Sequence, residues 1–182
     1  MRAMRRVPFP TRVVKVDAVV PYGGVLTLGA TAAKGDLIAK MDDDDWYGRE
    51  YIWDLVLAAE YSGAALVGKA AEFVYLEGSD MTIRRMAEGA HRFNTSDIAG
   101  GALLFERAAG RDVGFWRPVY GIEDRYLIWD FLAEGRRTFR TDGHGYVLNR
   151  HADAHAWDAP DSYFTAQADN TMNGLALEWA MV

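Results

Sequence analysis

From Met41 to Tyr47 the chain reads Met-Asp-Asp-Asp-Asp-Trp-Tyr. Four adjacent carboxylates repel one another at neutral pH, and gathering them costs free energy unless a cation compensates. Asp42, Asp43, Asp44 and Asp45 follow a short apolar run, Asp36 to Met41, that reads as a strand. A strand end that delivers carboxylates to one point suits a hard divalent ion with oxygen ligands. A solvated acidic turn or a helix N-cap, where Asp is also favoured, uses the same residues, and spacing alone leaves both readings open.

Two further clusters stand downstream. Glu123-Asp124 opens a helical pattern. Asp124 precedes Leu127, Ile128, Phe131 and Leu132 by three, four, seven and eight residues, so it heads their inward face. His151, Asp153, His155 and Asp158 form the third cluster. The i, i+4 pair His151 and His155 lacks the intervening Glu of a zinc helix, and either His serves equally as hydrogen-bonded structure. There is no glycine-rich phosphate loop and no Gly-x-Ser-x-Gly elbow. What remains is a metal held by carboxylates with a separate carboxylate base. Such a metal suits a diphosphate substrate, whose leaving group it neutralises.

A chain of 182 residues, of which 50% are hydrophobic, suffices for one globular domain. A net charge of −6 argues against a nucleic-acid binder. The absence of Cys removes disulfides, thiolate chemistry and Cys-based zinc sites. The basic start, Met1 to Arg6, has no apolar run behind it and so no signal peptide, and no stretch reaches membrane-span length. A cytoplasmic protein is the expectation.

The patterning predicts strands at Arg12–Val16, Asp36–Met41, Ala65–Ala70, Glu72–Leu76, Ile98–Phe105, Arg137–Thr141 and Tyr146–Leu148. It predicts helices at Val25–Lys34, Glu50–Tyr61, Glu106–Arg111 and Asp124–Glu134. On the second of these, Ile52, Leu55, Val56 and Ala59 form the expected apolar face and Gly63 the stop. Gly100-Gly101 reads either as a plain bulge or as a place where a backbone or ligand comes close. The residues after Asp158 show no firm pattern. Alternating strands and helices point to an α/β sheet, whose function gathers beyond the carboxyl ends of strands.

The segment Ala33 to Gly48, reading Ala-Lys-Gly-Asp-Leu-Ile-Ala-Lys-Met-Asp-Asp-Asp-Asp-Trp-Tyr-Gly, resembles the central segment of family 2 glycosyltransferases with the GT-A fold. Asp42-x-Asp44 aligns with that family's Asp-x-Asp motif, and Asp45 with the acid after it. Ile98 to Phe105 resembles the acceptor-side strand. Val113-Gly114-Phe115 followed by Gly121-Ile122-Glu123-Asp124 resembles the family's "G-G-F … E-D" element, and Arg150-His151 its late "R-x-H" segment without the spacer. The likeness runs from about Val13 to Asp158. It departs at the front. The chain aligns from the family's third strand onward, without the pieces that build the nucleoside pocket, and Leu26-Thr27 stands where the family has Arg-Asn.

The resemblance implies an α/β fold of GT-A-like (Rossmann-like) type, with a mostly parallel sheet flanked by helices and shortened at its N-terminus. Residues 1–158 would form one domain and 159–182 a C-terminal tail. It implies an inverting, metal-dependent glycosyltransferase that moves a sugar from a UDP- or GDP-sugar to an acceptor hydroxyl. Asp42 and Asp44 would hold Mn²⁺ or Mg²⁺, and Asp124, beside Glu123, would be the base. Asp43, Asp45, Trp46, Gly100, Gly101, His151 and His155 would line the donor and acceptor. Trp46, Trp116 and Trp157 are candidates to stack on sugar or base, against ordinary packing as core or rim. The competing expectation is a GT-A remnant that works as a binding module or homo-oligomer through an exposed sheet edge. A metal-dependent phosphohydrolase ranks third, because it draws carboxylates from several strand ends.

Overall fold

The computed structural model describes residues 10–85, 91–151 and 159–181. The first helix, α1 (Tyr22–Ala32), starts three residues before the sequence pattern suggested. Pro21 presets the entry, and Gly23 and Gly24 form the first turn instead of a separate loop. Strand β1 (Leu37–Met41) follows, then the acidic turn and the two-residue β2 (Trp46–Tyr47). Helix α2 (Tyr51–Ser62) ends on Gly63 in the left-handed conformation, φ 60°, as its position promised. Its buried face is Tyr51, Leu55, Ala58 and Ser62. That face is rotated from the expected one, and Ile52 is exposed. Tyr51 sets the rotation by packing edge-on against Tyr47, with ring centroids 4.8 Å apart.

Next come β3 (Leu66–Lys69), β4 (Phe73–Leu76), β5 (Met81–Arg84), β6 (Arg92–Phe93) and β7 (Ala102–Glu106). Helices α3 (Arg107–Asp112) and α4 (Glu123–Ala133) precede β8 (Thr138–Thr141) and β9 (Tyr146–Arg150). Then come α5 (Asp161–Thr165) and β10 (Asn170–Asn173), followed by a short 3-10 turn at Leu177–Trp179. Residues 11–17 form no strand. Their β-branched side chains favour one, but a strand needs a partner ladder, and none of the described strands pairs with them.

Two five-stranded sheets result, in the orders β1-β7-β3-β8-β6 and β10-β5-β4-β9-β2. Both are mixed, which corrects the expectation of a mostly parallel sheet. In the first, β3 and β8 run parallel, while β7 runs antiparallel to both β1 and β3. In the second, β4 and β9 run parallel and the other pairs antiparallel. The parallel pair β3/β8 continues as the parallel pair β4/β9, so the two sheets share a spine. Between β3 and β7 the chain passes through β4 and β5 of the second sheet and β6 at the edge of the first, and antiparallel pairing is open to β7.

The first sheet is covered on both faces. On one, α1 and α4 pack through Ala30, Leu127, Ile128 and Phe131 onto Ile38, Leu103 and Phe105. On the other, α2 packs through Tyr51, Leu55 and Ala58 onto Val67, Leu104 and Phe139. The residues after 158 pack on the second sheet. Phe164 of α5 is fully buried with Val74, Leu76 and Ile83, and β10 pairs with β5.

Candidate active site

Burial alternates along β1, so Ile38 and Lys40 point inward while Leu37, Ala39 and Met41 are exposed. Lys40 is only 5% exposed. Its ammonium sits 2.8 Å and 3.0 Å from the two oxygens of Asp42, 3.0 Å from the Gly100 carbonyl and 3.1 Å from Oδ2 of Asp124. A buried ammonium must be paired, and here one cation joins the acidic turn, the glycine turn and the head of α4. Burial works against its charge, but Asp124 and Asp42 together hold its pKa above the ordinary lysine value. Tyr22 of α1 donates to Asp42 across 3.3 Å.

Asp124 heads the inward face of α4, where its spacing placed it. Its side chain is 15% exposed. Its Oδ1 accepts from the Trp116 indole N–H at 2.7 Å. Burial, with Glu123 beside it, pushes its pKa up to about 6 against the opposing pull of Lys40 and Trp116. Trp116 is itself buried against Phe105, so it orients Asp124 and presents no face for stacking. Glu123 is buried as well, and its Oε2 has no hydrogen-bond partner among the described residues. It lies against Gly23 at the start of α1, away from the Lys40 link.

Asp45 turns inward. Its Oδ2 accepts from the Tyr146 hydroxyl at 2.7 Å and its Oδ1 from the Asn149 amide at 2.8 Å. Burial raises its pKa to about 6. Asp45 thus ties the acidic turn to β9. Tyr47 ties it to the glycine turn, accepting from the Asp42 amide and donating to the Gly101 carbonyl, each at 2.7 Å.

The glycine pair is a close-approach site. A Cβ on Gly100 would stand 2.5 Å from Oδ2 of Asp124, and one on Gly101 would stand 2.9 Å from Oδ2 of Asp42 and closer still to Asp45. Side chains longer than hydrogen would push all three carboxylates apart.

Asp44 leaves this cluster. It is 44% exposed, and its Oδ2 lies 3.6 Å from Nε2 of His151, at the end of β9. The other ring nitrogen of His151 faces Oε2 of Glu77 at 3.1 Å. Asp43 and Trp46 are exposed on the rim of the turn. Among the described residues, no three His, Asp or Glu side chains converge on one metal position. His155 and Trp157 lie outside the described residues. Sequence reasoning missed Lys40, Tyr146, Asn149 and Glu77. The inward parity of Lys40 on a strand two residues before Asp42 was the signal available for it.

No family model matches the chain, and no curated protein matches it either. Among solved structures the chain is similar to the Staphylococcus aureus protein TarS, residues 1–349, in complex with UDP-GlcNAc. The TM-score is 0.59 at 12% sequence identity, over 82% of this chain and 45% of that one. At that identity the likeness concerns the fold alone. The chain spans less than half the length of the neighbour it matches.

Proposed function

We propose that this protein is a metal-dependent, inverting glycosyltransferase that uses a nucleotide-diphosphate sugar, with UDP as the first nucleotide to test. The observation that carries the reading is the Lys40 link, which sets a largely buried carboxylate, Asp124, beside the acidic turn on a glycosyltransferase-like fold.

Asp44 and His151 would hold a Mn²⁺ or Mg²⁺ ion. One carboxylate and one imidazole suffice when phosphate oxygens and water complete the shell. Glu77 behind His151 fits the usual pattern of a ligating imidazole anchored by a carboxylate through its other nitrogen. When bound, such an ion neutralises charge on the departing diphosphate. Asp42 contributes less to this than its motif position suggests, because both its oxygens are already engaged by Lys40.

Asp124 accepts the proton of the acceptor hydroxyl as that oxygen attacks the sugar carbon from the face opposite the diphosphate. A carboxylate has about four lone-pair sites, of which Lys40 and Trp116 take two, so others stay free for that proton. A base with a pKa near 6 is better matched to neutral pH than an ordinary Asp.

The test is a thermal-shift titration with Mn²⁺ and UDP on the wild type and Asp44→Asn. Ligand that binds the folded state raises the melting temperature by mass action. A UDP shift that requires Mn²⁺ and vanishes in the variant supports the reading. Absence of any Mn²⁺-dependent shift in the wild type with UDP, and then with GDP, removes it.

A further inference from the structure

We propose that Lys40 is a positioning residue, which fixes the Asp124 carboxylate for proton acceptance and uses Asp42 as its anchor. The inference rests on the glycosyltransferase reading above, and it gives Asp42 a role distinct from metal binding.

The geometry is specific. The ammonium has three N–H donors, and it faces three acceptor groups, the Asp42 carboxylate, the Gly100 carbonyl and Oδ2 of Asp124. Lys40 comes from β1, Gly100 from the turn before β7 and Asp124 from α4, so one side chain registers three elements that sequence holds far apart. Asp124 is then pinned at both oxygens, by Lys40 on Oδ2 and by Trp116 on Oδ1. Its rotation is fixed, as a base needs if it is to meet the attacking hydroxyl in line. Asp42 receives both of its side-chain oxygen contacts from the same ammonium and a third from Tyr22. These contacts anchor Lys40 and leave Asp44, which faces outward toward His151, as the carboxylate of the pair open to an ion.

The experiment compares wild type, Lys40→Met and Lys40→Arg in steady-state transfer, with release of UDP from UDP-GlcNAc as the readout. A positioning role predicts that Lys40→Met lowers kcat by about 100-fold, the usual consequence of a misplaced catalytic group. Donor KM stays within threefold, and Lys40→Arg recovers part of kcat. Unchanged kcat in Lys40→Met, or equal loss in kcat and donor affinity, overturns the proposal.

The link is also read without activity, by melting temperatures of Lys40→Met, Asp124→Asn and the double variant. Removing Lys40 strands a buried carboxylate. The double variant should therefore melt above Lys40→Met alone. Strictly additive effects sink the Lys40–Asp124 link even if the protein transfers sugar. Coupled melting temperatures in a wild type that turns over no donor sink the glycosyltransferase reading and leave the link standing.

Discussion

In the proposed reaction Asp124 is the base, and its environment makes a pH prediction with a definite sign. Burial raises its pKa to about 6, and a base works only when deprotonated. The rate should therefore be low below pH 6, rise tenfold per pH unit through that region, and level off above it. An unperturbed Asp would put the limb near pH 4. The measurement is kcat/KM for UDP-GlcNAc turnover from pH 4.5 to 8. A profile that is already level from about pH 5 upward would detach Asp124 from the chemistry. Asp124→Asn keeps the shape of the side chain and can accept from Trp116 or from Lys40 through its one oxygen, with its NH₂ facing the other donor, but it cannot take a proton. It should lose about 10²- to 10⁴-fold in kcat, the range that general bases contribute. Full activity in that variant would mean that the base lies elsewhere.

At the scale of the elements, the site is held by short turns whose residues cannot be exchanged freely. Gly101 shows the constraint best. An added methyl would press on Asp45 and Asp42 together and on the Tyr146 hydroxyl. Those groups are fixed by hydrogen bonds to β9 and β1, so they cannot yield cheaply. Gly101→Ala should cost about 1–3 kcal/mol, the range for overpacking a filled site. It should also lower UDP-GlcNAc turnover, because Tyr47 and Asp45 lose their register. Chemical denaturation gives the first quantity, and a variant as stable as wild type would show the turn to be roomier than its geometry. Much of this element layer was legible in the sequence. Helix α2 and its Gly63 stop, α4 with Asp124 at its head, and β1 leading to the acids all follow from local periodicity. What was not legible depends on long-range partners. Antiparallel β7 between β1 and β3 is a choice made by the whole sheet. The rotation of α2 is set by Tyr47, and the folding of residues 159–181 depends on Phe164 finding a pocket under the second sheet, between the Arg85 and Arg150 guanidiniums. The same distinction applies within the site. The sequence offered four equivalent aspartates, and the fold sorts them by direction, with Asp42 to Lys40, Asp45 to Tyr146 and Asn149, and Asp44 to His151.

For the molecule as a whole, the acidic turn adjoins a sheet edge. Strand β1 ends the first sheet, and its outward residues Leu37 and Met41 are 40% and 46% exposed. Among the described residues no strand pairs with that edge, and unpaired backbone beside apolar side chains is a template for another strand. The acids that follow Met41 act against such pairing between identical chains, because two copies would bring their clusters together. Salt screens that repulsion far more than it weakens apolar contact. Self-association should therefore increase with protein concentration and with added NaCl, and Leu37→Lys should suppress it. Light scattering across a concentration series reads the mass directly. The position of the edge makes activity a second readout, since β1 runs straight into Asp42. If pairing at β1 steadies the acidic turn, specific activity rises with the dimer fraction and Leu37→Lys loses both. If mass rises while specific activity stays flat, the edge is a contact surface and the site works within one chain. A wild type that stays at monomer mass at every concentration and salt level would show that the acidic cluster alone is enough to keep this edge apart from its copies.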